Sequence, residues 1–321
     1  MGAATESSLL QSSDSRTHTS TIDPSDVYEP TDNPAFVSFL AADWQGSVDE
    51  NATDRYYDSI RILGYQLMHA PKTKSRYPFL VAVTDHVHSS KRAQLEADGA
   101  IVVALPTLYV STTNLQDKYK DQMEKLSFFN MYGTYGRMCY IDADHLILEN
   151  IDGVFQDQAA QIQTTRTYQE EIKEDEPPLP ATYLFAGHAE GTGHHLNDDR
   201  RVKRIQDPTN ADYVNGGFWV FAPGREIYEY YMWVANHTDR WNTFWAEQNM
   251  LNYVHRRPGN MPWTRIQDDW DVISITDMDI LRGSKAIHGH FWDGFWNAGL
   301  GNEIWLKAYD EMTWFYGNRT Q

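Results

Sequence analysis

Residues 137–148 read Arg-Met-Cys-Tyr-Ile-Asp-Ala-Asp-His-Leu-Ile-Leu. The apolar run from Arg137 to Ile141 has the length and composition of a buried strand. It delivers two carboxylates, Asp142 and Asp144, at the point where the chain turns. In a regular strand, positions two apart share a face. Hard oxygen donors in this pattern suit Mg²⁺ or Mn²⁺, ions that keep coordination positions open for substrate phosphates. An Asp-x-Asp triplet is also common in solvated turns. Here apolar sequence flanks it on both sides, Leu146-Ile-Leu148 and Ile151 following at once, so the carboxylates are expected against the core rather than in open solvent.

Working outward, the pattern of this strand repeats. Residues 35–42 and 79–84 are short apolar runs, as are 100–105, and each has the length of a buried strand. Between them lie stretches with helical spacing. Tyr57, Ile60, Leu63, Leu67 and Met68 mark one face of a helix over 54–70 that Pro71 stops. A shorter helix over 91–98 ends at Gly99. Residues 117–132 form a further helix, with Tyr119, Met123, Leu126 and Phe129 on one side. Strands alternating with helices predict a parallel α/β sheet. Ligands bind such sheets at the carboxyl ends of the strands, which is where Asp142 and Asp144 stand. Downstream, 213–221 is a turn entering a strand, and 225–236 and 247–255 are helices. Residues 156–212 differ in composition and predict an insertion or long loop over the active site. Its His188, Glu190, His194 and His195 belong to that polar loop rather than to a second metal site. Residues 1–33, rich in Ser, Thr and Asp, predict a flexible N-terminal tail. Residues 34–321 then form a single domain.

Composition narrows the function. The chain has 321 residues, of which 41% are hydrophobic and 13% aromatic, enough for a substantial core. Its formal net charge of −18 argues against nucleic acid as a partner, because that binding depends on cationic neutralisation of phosphates. A bound cation can still reverse the charge locally for a phosphate ligand. The one cysteine, Cys139, excludes an intramolecular disulfide and a Cys-rich zinc site. There is no stretch of ~20 apolar residues for an integral membrane segment and no basic and apolar leader. The expected location is cytoplasmic, or the secretory pathway if an N-terminal anchor has been trimmed. Serine-hydrolase, zinc-protease and P-loop signatures are absent.

The residues around the triplet resemble the glycogenin-like glycosyltransferases of family 8. The resemblance runs through Lys125-Leu126, Tyr140-Ile-Asp-Ala-Asp144, Asn150-Ile-Asp152 and Phe155. The same order continues outside it: Phe36-Val-Ser-Phe-Leu-Ala-Ala-Asp43 as the opening strand and nucleotide loop, Asn215-Gly-Gly-Phe-Trp-Val-Phe-Ala-Pro223, Glu247-Gln-Asn-Met-Leu-Asn252, and Ile287-His-Gly-His-Phe291 with Trp296. It covers about residues 35–300, interrupted by the insertion. It implies the GT-A fold, an α/β, Rossmann-like domain whose mixed central sheet is flanked by helices. It also implies a retaining transfer of a hexosyl group (glucose, galactose or N-acetylglucosamine) from a UDP-sugar to an acceptor hydroxyl.

What the resemblance implies for individual residues is specific. Mn²⁺, or Mg²⁺ in its place, is held by Asp142, Asp144 and His288. His290 is the alternative third ligand, because the His-to-Trp interval favours His288 while the His-Phe pair favours His290. Lys125 approaches the donor, and Glu247 and Gln248 sit near the reacting sugar as catalytic candidates. Leu40, Ala42 and Asp43 contact the nucleotide; Ala143, Asn215, Gly216, Gly217 and Gly294 complete the donor site with Lys125 and Asp142. Two departures stand out. Glu247 replaces the family's Asp, and Asp293-Gly-Phe-Trp296 lacks the family's diphosphate-binding Lys, leaving Lys285, Arg282 or Lys125 to supply that charge. The acceptor is a glycan or a small, apolar metabolite enclosed by the insertion and the Trp-rich C-terminal third. Two rival readings stay compatible with the residues: a two-carboxylate hydrolase, which needs no nucleotide sugar, and a non-catalytic nucleotide-sugar or glycan binder. Oligomeric state is not encoded in any motif.

Overall fold

Strand β1 (Pro34–Leu40) is buried along nearly its whole length, because both of its faces are covered. Phe36 and Leu40 point into one apolar layer, Val37 and Phe39 into the other. The computed structural model describes residues 32–41, 54–108, 110, 115, 117–190, 212–273, 275–292 and 299–319. The expected tail lies almost entirely outside these residues, as do 191–211 of the expected insertion and the donor-site candidates Ala42, Asp43 and Gly294.

Around β1 the central sheet has seven strands, in the order β10-β8-β9-β4-β1-β2-β3. Strands β2 (Phe79–Val83), β3 (Ile101–Ala104) and β4 (Arg137–Ile141) run parallel to β1, with Val37 opposite both Leu80 and Tyr140. These are the strands read as apolar runs from the sequence. The sheet is mixed because β9 (Val214–Phe221) pairs antiparallel with β4, setting Tyr140 against Trp219 and Ile141 against Phe218. Strand β8 (Phe185–Ala189) is antiparallel to β9, and β10 (Thr264–Arg265) is parallel to β8. Residues 185–189 fall in the stretch expected to be a loop over the sheet. They are instead a fully buried strand within it. His188 is accommodated there by Asp268, whose Oδ1 lies 3.2 Å from Nε2. Two short strands of that stretch, β6 (Gln163–Thr164) and β7 (Thr182–Tyr183), pair with each other.

Helices cover both faces. Helix α1 (Arg55–Met68) begins at Asp54, whose carboxylate accepts from the Tyr57 amide at 3.0 Å. Helix α2 (Ser89–Asp98) stops at Gly99, where φ is 111° and a Cβ would be strained. Ile60, Leu63, Leu67 and Leu95 from these helices share a layer with Phe36 and Ile141. On the opposite face pack the helical segment Asp117–Asn130, α3 (Arg225–Ala235) and α4 (Ala246–Val254). Met123, Phe129, Tyr231 and Met250 meet Tyr140 and Trp219 there. The 117–130 segment is wound in tight three-residue turns rather than as an α-helix.

A second, three-stranded sheet decides the site. Its order is β11-β12-β5, built from β5 (His145–Ile147), β11 (Val272–Ile273) and β12 (Ala286–His288). Antiparallel pairing of β12 with β5 sets His288 directly opposite His145. After a short helix α5 (Asp277–Leu281), the chain ends in α6 (Gly299–Arg319), whose Trp305, Met312 and Tyr316 pack with Ile62 and Tyr65 of α1. Trp305 Nε1 donates to Ser59 Oγ at 3.0 Å. None of the helices among the described residues is long and apolar enough to cross a membrane.

Candidate active site

Asp142 and Asp144 leave β4 together, and then their side chains part. The Asp142 amide donates to the Gly217 carbonyl at 2.8 Å, so the first turn after β4 is tied to the entry of β9. Asp142 Oδ1 accepts from Lys125 Nζ at 3.0 Å and from the Tyr140 hydroxyl. Tyr140 is two residues before Asp142, on the same strand face, which is how its hydroxyl reaches the carboxylate. Lys125 Nζ also donates to Glu247 Oε1 at 2.9 Å and lies 4.7 Å from the centre of the Tyr140 ring. Three elements therefore meet at one ammonium: the 117–130 segment, the β4 terminus and α4. Lys125 is 3% exposed. Burial works against its charge, but Asp142 and Glu247 outweigh it and hold its pKa above the usual lysine range. Glu247 goes the other way. Burial raises its carboxyl, and Lys125 only partly offsets that.

Asp144 turns toward the small sheet. Its Oδ1 lies 3.2 Å from His288 Nε2, and its Oδ2 lies 3.3 Å from His290 Nε2. Burial opposes the His288 charge, yet the Asp144 carboxylate beside it pushes the imidazole up to about 10. Against the same burial, His288 holds Asp144 well below the ordinary carboxylate range. The two histidines weighed for one role are thus both at Asp144, and they differ in surroundings. His288 is 15% exposed and held in β12, while His290 is 38% exposed and bonded to the Tyr56 hydroxyl at 3.1 Å.

A further residue joins this cluster. His145 stacks on His288 with ring centroids 4.2 Å apart and planes 19° from parallel. Asp144, His145 and His288 each offer a ligand atom, all within 4.8 Å of one another. A carboxylate oxygen with imidazole nitrogens is a donor set that Mn²⁺ accepts. His145 Nδ1 lies 3.0 Å from the Asp142 carbonyl, and its Nε2 lies 3.2 Å from Asp271 Oδ1, with both side chains fully buried. That pairing fixes the ring plane on which His288 rests, as carboxylate partners orient metal-binding imidazoles. His145 directly follows the triplet, a position that could have marked it; Asp271 carries no sequence signal of its own.

Glycine is required where β9 passes between the two halves. A Cβ on Gly217 would lie 2.4 Å from His288 Cε1 and 2.9 Å from Asn215 Oδ1. Gly217→Ala is expected to displace His288 and weaken Mn²⁺ binding by roughly 10–100-fold. Electron paramagnetic resonance titration of Mn²⁺ reads this directly, and unchanged affinity would mean His288 is not a ligand. On Gly216 a Cβ would lie 2.9 Å from Gln248 Oε1, the atom that accepts from the Gly216 amide at 2.7 Å.

A cavity of about 630 Å³ opens on the Lys125 side. Lys125, Asp142, Asn215, Gly216, Glu247 and Gln248, six of the residues selected from sequence, line it. Asn215 Nδ2 donates to Glu190 Oε2 at 2.7 Å, and its Oδ1 accepts from the Gly217 amide at 2.7 Å. Glu190, from the stretch expected to lie over the active site, thus lines the cavity. The Leu40 and Ala143 side chains do not reach it; both are packed in the apolar layer shared with α1. Such a volume is ordinary for a small-molecule site.

No protein-family model matches the chain. An uncharacterized protein of Schizosaccharomyces pombe is 25% identical over 295 residues, covering 82% of this chain and 75% of that protein. Galactinol synthase 1 of Solanum lycopersicum is 27% identical over 188 residues, covering 56% of this chain and 51% of the enzyme. The latter match thus spans about half of that enzyme's own length. Among solved structures, an active-site mutant of LgtC superposes with a TM-score of 0.50 at 10% identity, over 86% of this chain and 95% of that one. At that identity the likeness speaks to the fold, which is GT-A. The chain has the GT-A fold and is similar in part of its sequence to a galactinol synthase.

Of the three cations considered for the diphosphate, Lys125 alone lines the cavity. Lys285 Nζ sits 3.7 Å above the Trp270 ring. The tryptophans of the C-terminal third divide. Trp263, Trp270 and Trp305 are buried packing residues, and Trp296 lies outside the described residues. Trp245, in the same third of the chain, lines the cavity together with Tyr119 and Tyr213.

Proposed function

We propose that this chain is a glycosyltransferase that moves a hexosyl group from a UDP-sugar to an acceptor hydroxyl with retention of anomeric configuration, using Mn²⁺ or Mg²⁺. One observation carries the reading. A carboxylate–imidazole cluster (Asp144 and His288) and a buried ammonium (Lys125) flank the same strand entry, Asn215-Gly216-Gly217, at the end of β4. Lys125 brings positive charge to a polar cavity, and a cation held by the cluster would add to it, which is what a departing diphosphate needs.

Asp144 and His288 would hold the cation, with Asp142 beside them and His145 orienting the His288 ring. When bound, the cation supplies charge neutralisation at the diphosphate oxygens. Lys125 stays protonated between Asp142 and Glu247, and so presents a permanent charge to the donor. Asn215, Gly216 and Gly217 bring backbone and amide close to the sugar. Glu247 is committed to Lys125 and acts first by fixing it. Gln248 is committed at both ends of its amide, accepting from Gly216 and donating to the Tyr213 hydroxyl at 3.2 Å, and so holds the cavity wall. In same-face transfer, the bond from the anomeric carbon to the phosphate oxygen breaks as the bond to the acceptor oxygen forms. The acceptor's hydroxyl proton passes to the departing phosphate, so no separate base is required. The likeness to galactinol synthase supports a hexosyl donor, and the domain proposed for this chemistry is 34–321.

The test is release of nucleoside diphosphate from a panel of UDP-sugars, with Mn²⁺ and with chelator. Slow hydrolysis that needs the metal is expected for one donor above the rest. Turnover of glycosides with no nucleotide sugar present would replace this reading with a hydrolase.

A further inference from the structure

The far wall of the cavity is not accounted for by the donor chemistry. That part of the lining includes Tyr119, Gln122, Asn242 and Trp245, the first two from the segment that carries Lys125 and the last two just before Glu247. Trp245 is 44% exposed, although an indole is usually covered in a folded chain. Its ring packs on Tyr119 with centroids 5.2 Å apart, and on Phe244 edge-on at 5.0 Å. The indole is therefore held in place while its surface stays open.

The backbone beside it is in an uncommon conformation. Ala246, fully buried, has φ at 46°, a left-handed conformation that residues with a Cβ rarely adopt. Strain of this kind persists where surrounding structure imposes it, often at a binding site. Here the bend separates neighbours: Trp245 faces outward at the cavity rim, while Glu247 is 4% exposed and paired with Lys125.

Around the rings the wall is polar. Gln122 and Asn242 present amide side chains, and Asn242 uses its Oδ1 to accept from the Phe244 amide at 3.0 Å. Carboxylates line the same space, from Asp142, Glu190 and Glu247. An acidic acceptor is disfavoured by those charges. A wholly apolar acceptor would strand the amides. A pyranose satisfies both demands, because its C–H face covers an aromatic ring and its hydroxyl edge bonds amides.

We infer that Trp245, backed by Tyr119 and flanked by Gln122 and Asn242, is the acceptor platform and that the acceptor is a neutral saccharide. This rests on the transferase reading above and narrows it, since a small apolar acceptor does not fit the wall. Gln122 and Asn242 are expected to fix which hydroxyl faces the donor.

The experiment is calorimetric binding of maltose, lactose, glucuronic acid and indole to the full chain with UDP and Mn²⁺. It is repeated on Trp245→Ala and Trp245→Phe, with UDP binding measured separately on each protein. At least one neutral disaccharide is expected to bind, more tightly than glucuronic acid or indole. Trp245→Ala should weaken it about ten-fold, and Trp245→Phe less, with UDP affinity unchanged in both. Failure of both disaccharides to bind, tighter binding of indole, or equal saccharide affinity in Trp245→Ala would overturn the platform. Saccharide binding that depends on Trp245 in a protein that binds no UDP would support the platform and sink the donor reading instead.

Discussion

Asp144→Ala is expected to lower kcat/KM for donor turnover by roughly 10³-fold or more, on the scale seen when a fixed charge-stabilising group is deleted from an active site. The reason is the convergence of His288 and His290 on this one carboxylate, at 3.2 and 3.3 Å. Without it the cation loses its anionic ligand. His288 also loses the partner that lifts it to about 10, and burial then favours the neutral ring. Asp144→Asn keeps the shape and removes the charge, so it separates metal binding from packing. Both variants are expected to lose Mn²⁺ binding by electron paramagnetic resonance. An Asp144→Asn protein that kept wild-type Mn²⁺ affinity and turnover would remove Asp144 from the site.

Lys125→Met is expected to damage stability and activity together. Glu247 is buried, and Lys125 is its hydrogen-bonded counter-charge at 2.9 Å. Breaking a buried pair by removing one partner costs about 3–5 kcal/mol. For a chain of this size, that is a fall in Tm on the order of 10 °C. The pH dependence has a definite sign. The Glu247 carboxyl is already raised above 4.5 by burial, and loss of Lys125 removes the main influence lowering it. A carboxyl with a raised folded pKa binds its proton in the folded state where the unfolded chain has released it. The deficit of Lys125→Met relative to wild type should therefore shrink as pH falls through the new folded pKa toward 4.5, the ordinary value. Lys125→Met/Glu247→Gln should recover most of the stability while staying inactive. Thermal unfolding between neutral and mildly acidic pH, with turnover alongside, tests both parts. A double variant no more stable than Lys125→Met would show that the pair is not the source of the cost.

The parts of the fold legible in the sequence are those set by local pattern. Strands β1, β2 and β4 are continuous apolar runs because both faces of the sheet are covered, and helices α1 and α3 carry one-sided apolar spacing. Strand β8 is different. Phe185-Ala-Gly-His-Ala189 has small residues and a histidine, and its burial depends on Asp268 answering His188 across 80 residues of chain. Strands β10 to β12 are two or three residues long and exist through pairing that no local window contains. Helix α6 spreads aromatic residues around its circumference: Trp305 is buried while Trp314 is 71% exposed. It lacks the single apolar stripe that marks an amphipathic helix.

The site divides in the same way. Asp142, Asp144, Lys125, Asn215, Glu247 and Gln248 stand in short segments whose order carried them, and the structure gathers them at one strand end. The His288 and His290 alternative could not be resolved by spacing, because β12 brings both to Asp144. The His145–Asp271 pair was hidden, since it joins residues 126 apart through a strand pairing. Trp245 was one of 11 tryptophans. What singles it out is exposure at the cavity, next to the turn at Ala246.

The most direct measurement is calorimetric titration of UDP into the full chain with Mn²⁺, with chelator, and with Mn²⁺ on the Asp144→Ala variant. UDP is expected to bind the wild type with Mn²⁺, and binding should be lost with chelator and in the variant. Binding of equal affinity in all three would contradict a metal-assisted nucleotide-sugar site built on Asp144.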